Sequence, residues 1–181
     1  MNNLEDHSLK KILGIIEKIS NMVIKLDHVE EKFNMKYKLI LTKITEAYTN
    51  HETTCACVFA YDLVETRKIS ILLINSKTAL EEIIVRLTKA SETPDVVLSL
   101  KCIEDALRKL GVKLVAVFPE TDTELGEIAK LLSDVIVELN SSSEKENIYE
   151  IIEEGAGKIL DEAVIIAKQR IKEKFPTYNQ E

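Results

Sequence analysis

A chain of 181 residues with a formal net charge of −7 lacks the basic footprint that nucleic-acid binding requires. Its residues are 45% hydrophobic, 30% charged and 5% aromatic, with five Gly, three Pro and no Trp, which suits long helices and fits a sheet protein poorly. No apolar run approaches the roughly 18 residues of a spanning helix, the opening MNNLEDHSLKKIL is too acidic for a secretion signal, and no prenylation box is found, so any membrane contact is expected to be peripheral.

Capping signals predict five helices, near residues 4–48, 52–91, 95–117, 121–140 and 144–174. Asn3 with Asp6, Thr49 with Glu52, Thr121 with Glu124 and Ser143 with Glu146 each have the spacing of a cap and its reciprocal acid. Thr93-Pro94 places a proline at a first helical position, where its missing N–H costs nothing.

The first helix carries apolar residues at Ile12, Ile16, Ile19, Val23, Leu26, Phe33, Tyr37, Ile40, Ile44 and Ala47, alternating steps of four and three with Glu30 as the one polar interruption. That is a coiled-coil seam. A helix of about 45 residues runs roughly 65 Å and needs a partner of similar length. The short connection to the second helix makes that partner antiparallel. Lys11, Lys18, Lys25 and Lys32 recur every seven residues at the outward c position, with Lys10 and Lys38 beside them at b. By periodicity alone they form a solvated face.

In the second helix Ile69, Ile71, Leu72, Leu73 and Ile74 run together, apolar on all sides, so a further helix or subunit must cover what the first helix does not. Ile69, Leu72, Leu73, Leu80, Ile83 and Leu87 are the candidates for hairpin packing and polymer contact. The third helix repeats the pattern with Val96, Leu100, Ile103, Leu107, Leu110, Leu114 and Val117, and the fourth with Leu125, Ile128, Leu132, Val135 and Leu139. The fifth presents Tyr149, Ile152, Ala156, Ile159, Ala163 and Ile166, with Gly155 and Gly157 permitting close approach at about 1 kcal/mol each in helix stability. Residues 1–118 hold 17 basic and 16 acidic side chains, against 7 and 15 in residues 119–181. The expected organisation is a helical core over 1–140, then a flexible Ser141-Ser142-Ser143 linker with an acidic helix and tail over 141–181.

Several motifs point to a family. Phe59-Ala60-Tyr61-Asp62-Leu63-Val64-Glu65-Thr66-Arg67-Lys68, Ala79-Leu80-Glu81 with Arg86-Leu87, and Phe118-Pro119-Glu120 with Glu124-Leu125 occur in this order. The chain thereby resembles the ESCRT-III superfamily, and within it the archaeal CdvB-like cell-division branch, in a short form without the winged-helix extension. The resemblance implies an all-α fold with a long antiparallel hairpin of the first two helices and three shorter helices. It implies filaments that polymerise on the inner face of the membrane at the division site and remodel or sever it. The implied partners are further copies of the chain, ESCRT-III-like paralogues, an anionic membrane surface and an AAA-type ATPase with an MIT domain, the last through a helical match at Leu160, Val164, Ala167 and Arg170.

The resemblance also turns Lys10, Lys11, Lys18, Lys25 and Lys32 into membrane-binding candidates. At about 1 kcal/mol per lysine near an anionic surface, four contribute roughly 4 kcal/mol. This is about millimolar binding for one subunit, so membrane binding must be coupled to assembly. Ile152, Ala156, Ile159, Ala163 and Ile166 become either an autoinhibitory lid folded back on the hairpin or a helix that docks on a neighbour.

Catalysis finds no constellation. His7, His28 and His51 lack metal-ligand spacing, there is no Glu-x-x-His pair, and neither a phosphate-binding glycine loop nor a nucleophile elbow occurs. Glu81-Glu82 and Glu153-Glu154 are expected to face solvent. Cys55, Cys57 and Cys102 are expected to be buried small hydrophobes in a reducing cytosol, with no disulfide framework. A non-enzymatic protein with no metal or cofactor is the expectation. Two rivals remain at this level. One is a soluble coiled-coil adaptor that binds another protein through an exposed apolar hairpin face. The other is a helical regulator of the phosphate-uptake type, which would need a cluster of acidic metal ligands that the sequence does not present.

Overall fold

A computed structural model describes residues 2–139 and 148–176, all-helical and without a strand among them. Helices α1 (Asn2–Thr49) and α2 (Thr53–Lys89) form the expected antiparallel hairpin. A single 3₁₀ turn (Ala90–Glu92) leads to α3 (Val96–Val115), α4 (Thr121–Leu139) and α5 (Ile148–Lys174). The Ser143 cap, the serine linker that would divide the two expected units, and the Asn3 cap side chain lie outside what is described.

The hairpin turn is closed by backbone geometry and not by a Thr49 cap. Thr49 remains in α1, where its hydroxyl donates to the Thr45 carbonyl at 2.8 Å, and Glu52 precedes α2 without a side-chain cap bond. The Glu52 N–H reaches the Ala47 carbonyl at 2.9 Å and the His51 N–H reaches the Tyr48 carbonyl at 3.1 Å. This bond pair terminates a helix through one left-handed residue, and that residue is His51, with φ of 60°. At the next corner Thr93 is extended with ψ of 146°, as a residue before proline prefers. Pro94 therefore falls one residue before the cap, and Asp95 takes the cap, accepting the Leu98 N–H at 3.0 Å.

The five helices close into a ring in the order α1, α2, α5, α3, α4, with α2 also touching α3 across it. Ile15, Ile19, Met22, Leu80, Ile83, Leu87, Leu100, Ile103, Leu114, Ile128 and Leu132 fill the centre and are fully buried. Phe118, from the Phe-Pro-Glu motif, anchors the α3–α4 elbow to α1 through an edge contact with Phe33, centroids 6.3 Å apart.

Three differences from the sequence reading follow from which helices have neighbours. Ile15 and Met22 of α1 are buried, while the seam residues Ile16 and Val23 are only half-buried. A helix flanked by α2 on one side and α4 on the other buries a wider face, shifted toward α4, than a two-helix seam does. Cys55 and Cys57 are exposed, because they sit on the hairpin tip, beyond the reach of α3–α5. In α5 Tyr149 and Ile166 are exposed, and the inward line runs through Ala156, Ile159, Ala163, Ala167, Ile171 and Phe175. Its repeated steps of four exceed the helical period of 3.6, so the line drifts around α5 away from the heptad that would have buried Ile166.

A β-carbon in the left-handed region carries a penalty that glycine escapes. His51→Gly is expected to stabilise the protein by about 0.5–1 kcal/mol, read as a higher urea midpoint with an unchanged slope.

Candidate functional site

The hairpin has two halves with different fates. Near the body, Leu73, Leu80, Ile83 and Leu87 are buried and Ile69 and Leu72 half-buried, enclosed by α1, α3 and α5 of the same chain. Residues expected to serve polymer contact thus form the internal core in this conformation, because the chain itself supplies the cover that the apolar run in α2 requires. The distal half is bare. Leu39, Tyr48, Val58, Tyr61 and Val64 are all exposed there, with Tyr48 at 77% and Tyr61 at 72%. Only a thin internal seam supports this half, including Ile40 and Ala47, the Lys36–Asp62 ion pair at 3.2 Å and Lys43 over the Phe59 ring.

Of the five membrane-binding candidates, three are engaged by α4. Lys11 pairs with Glu138, Lys18 with Glu127 at 3.4 Å, and Lys25 with Glu124 at 2.5 Å. Lys10 and Lys32 are exposed and make no ion pair among the described residues. The stripe is therefore not on the far side of α1. Heptad position c borders the face that α4 covers, and the lysines line that border. The Lys18 and Lys25 pairs are substantially open to water and are worth at most about 1 kcal/mol each, whereas Lys11–Glu138 is partly buried.

The end of α5 is fastened to the middle of the hairpin. Lys77 of α2 pairs with Asp27 and with Glu30 (2.8 Å to the latter), and Lys174 of α5 pairs with Glu30 as well. Burial opposes charging Glu30, yet the hydrogen bonds from Lys174 and Lys77 outweigh it and hold the carboxyl below its ordinary range. For Lys77 burial likewise works against the charge, and Asp27 and Glu30 overcome it, so its pKa is raised. Beside this cluster Phe175 is buried edge-on against Tyr37, centroids 5.1 Å apart. Arg67 stacks over both rings and donates to the Tyr37 hydroxyl at 3.0 Å. Further along, Arg170 binds Glu81 at 2.6 Å and Thr78 at 3.1 Å, and Arg86 binds Glu162. Glu81, expected in solvent, is thus a docking point for α5.

Among the lid candidates, Ala156, Ile159 and Ala163 are buried, Ile152 is half-buried and Ile166 faces outward. In the helical ATPase match, Ala167 is buried, Leu160 half-buried and Arg170 occupied by Glu81, whereas Val164 is exposed. Glu30 was the one signal for the latch that periodicity displayed, since a carboxylate in an apolar seam requires a partner. Phe175, Lys174 and the α4 glutamates lay outside any seam. Among the described residues no group of three His, Cys, Asp or Glu side chains could hold a metal, and no helix is long and apolar enough to cross a membrane.

The chain is 30% identical over 160 residues to Cell division protein B1 of Sulfolobus acidocaldarius, across 88% of its own length and 75% of that relative. It belongs to the CdvB family of ESCRT-III-like proteins. Cell division protein B of the same organism is 22% identical over 170 residues, and the chain spans 65% of that protein's length. No family model matches the sequence, and no solved structure does either. The family motifs occupy the contacts just described: Arg67 in the Phe175 clamp, Glu81 and Arg86 as α5 docking points, Phe118 at the elbow and Glu124 on the lysine stripe.

The latch holds within a pH window bounded by Glu30 on the acid side and Lys77 on the alkaline side. Glu30, depressed below its ordinary 4.5, contributes stability above that value, lost as pH falls through the lower folded value. Lys77, raised above 10.5, contributes stability below that value, lost as pH rises through the higher one. Amide exchange in α5 should accelerate as pH falls below 4.5 after correction for intrinsic rates, and Glu30→Gln should flatten that dependence. At neutral pH, Phe175→Ala should cost up to about 3 kcal/mol and selectively deprotect the end of α5.

The two α5 glycines differ. A Cβ at Gly155 would stand 2.5 Å from Cys102 Sγ, whereas at Gly157 nothing lies within 4 Å. Gly157→Ala should raise stability by about 1 kcal/mol through helix propensity. Gly155→Ala should instead loosen α5 from α3, seen as faster alkylation of Cys102 and a lower thermal midpoint.

Proposed function

We propose that this protein works mechanically in archaeal cell division, as a non-enzymatic subunit that polymerises on the cytoplasmic face of the membrane at the division site. Two relatives that are named cell division proteins align with most of the chain and support the setting. The observation that carries the assembly reading is the bare distal half of the hairpin. The exposed Leu39, Tyr48, Val58, Tyr61 and Val64 offer apolar contacts on more than one side of the rod, and no other helix covers them among the described residues. Subunits stacked through this half present repeated lysine stripes to an anionic surface, and the repetition makes individually weak contacts effective. ESCRT-III-like paralogues would share such a filament.

In this reading the ring is the resting state: the bare tip permits a first contact, and α5 restrains growth of the filament by keeping Leu73, Leu80, Ile83 and Leu87 enclosed in the body. Remodelling energy comes from lipid binding and polymerisation, with an AAA-type ATPase carrying an MIT domain as the disassembling partner. Arg170 and Ala167 become available to it only when α5 undocks.

The same bare tip also fits a soluble adaptor that binds a different protein, and the two readings separate in one experiment. Electron microscopy of the full-length chain and of a 1–143 truncation, each with and without anionic liposomes, is expected to show filaments or coated tubes, more abundant after truncation. Filaments from the full-length chain alone would make α5 an assembly contact instead of a restraint. Discrete particles under all conditions would exclude the polymer and leave the adaptor.

A further inference from the structure

Helices α2, α3 and α5 meet around a groove of about 280 Å³ that opens to solvent. Its walls are Ile71 and Leu72 of α2, Leu110 of α3, and Leu160 and Val164 of α5. Two polar side chains of α2 interrupt this apolar lining. Ser76 is fully buried and its hydroxyl has no hydrogen-bond partner, and Asn75 Oδ1 beside it is likewise out of solvent and unpaired. Other hydroxyls of these helices turn back on the carbonyl four residues earlier, as Thr78 does to Ile74 and Thr88 to Ile84, both at 2.8 Å. Ser76 does not. A buried polar atom without a partner costs stability, and a ligand that supplies the bond removes that cost. Lys68 and Lys113, both exposed, also line the groove. Lys113 makes no ion pair among the described residues, and Lys68 is tied only to Glu65 of its own helix, at 2.8 Å.

We propose that this groove binds an amphiphile with an apolar chain and an anionic head. The chain lies against Ile71, Leu72, Leu110, Leu160 and Val164, and Lys68 and Lys113 hold the head. Ser76 donates to an oxygen of the ligand, and Asn75 Oδ1 accepts from a hydroxyl of it. A concave, mostly apolar site with a few convergent polar groups is the usual form of a small-molecule pocket, for which roughly 300–1,000 Å³ is typical. A protein partner would need roughly 800 Å² from each side, far more than this groove presents. The site stands apart from the polymer reading, but it has a consequence for α5. Leu160 and Val164 form one wall, so the groove exists only while α5 is docked, and a ligand that binds the docked state alone favours that state.

The test is calorimetric titration of the full chain with n-octyl phosphate below its micellar concentration, with n-octanol and inorganic phosphate in parallel. One octyl phosphate per chain is expected, at least about tenfold tighter than either fragment, with a higher thermal midpoint and slower amide exchange in α5. Lys68→Gln/Lys113→Gln should weaken binding about tenfold. Lys89→Gln/Lys130→Gln, the same charge change at exposed lysines away from the groove, should leave it unchanged. Ser76→Ala should weaken binding about threefold without lowering the thermal midpoint of the unliganded chain, because the hydroxyl it removes has no partner. Val164→Phe, at a position 41% exposed, should fill the groove and abolish binding in a chain that still unfolds cooperatively. Octyl phosphate bound no more tightly than octanol, or than inorganic phosphate, would overturn the amphiphile site. Equal losses in the two lysine pairs would do the same. Binding untouched by both Ser76→Ala and Val164→Phe would place the ligand elsewhere and overturn it too. Dihexanoylphosphatidic acid then separates two sources of the same chemistry. Binding as tight as octyl phosphate assigns a two-chain lipid and exclusion assigns a single-chain amphiphile, and either result upholds the site.

Discussion

A carboxylate in the seam of the hairpin organises this molecule. Glu30 occupies a position between α1 and α2 that the heptad reserves for an apolar side chain, and partial burial makes its charge costly to leave alone. Lys77 from α2 supplies one partner, and Lys174 at the last turn of α5 supplies another. The first contact fixes the hairpin register. The second brings the end of α5 to the middle of α2, which places Phe175 between Tyr37 and Arg67 and sets the line along which α5 lies. With α5 so placed, α3 fits between it and α4, and the ring closes. A hydrophobic residue at position 30 would pack the hairpin as well, but it would leave Lys174 without its partner and the end of α5 held by Phe175 and Arg170 alone.

The ring also explains why one end of the hairpin is dressed and the other naked. Helices α3, α4 and α5 are each far shorter than α1, and together they cover the hairpin from its open end as far as Phe33, Tyr37 and Arg67. Beyond these residues the hairpin keeps an internal seam but has no third neighbour among the described residues, so Leu39, Tyr48, Val58, Tyr61 and Val64 remain exposed. The bare tip and the lysine stripe thus differ in kind. The tip is open in this conformation, whereas Lys11, Lys18 and Lys25 lie at the edge of a helix–helix interface.

Much of this was legible in the residues. The alternating steps of four and three in α1 mark helices that need partners, and the short link after Thr49 dictates an antiparallel pair. The apolar seam residues named for α1 are all buried or half-buried. Three of the differences share one origin, that a heptad describes a helix with one partner. It omits Ile15 and Met22 because α1 has two neighbours, it places Ile166 inside although α5 follows an i+4 line, and it puts Lys11, Lys18 and Lys25 outward because it takes no account of α4. Composition places Cys55 and Cys57 inside, yet they sit exposed near the hairpin tip, which no third helix covers among the described residues.

Local chemistry by itself determined the helices, their approximate ends, the hairpin and the family, because these depend on contacts between residues near in sequence or on periodic pattern. Only the tertiary structure decided which faces remain free. The pairing of Lys18 with Glu127 spans 109 positions and that of Lys174 with Glu30 spans 144. Such pairings join side chains that no periodicity relates, and they exist because five helices of unequal length closed one particular ring.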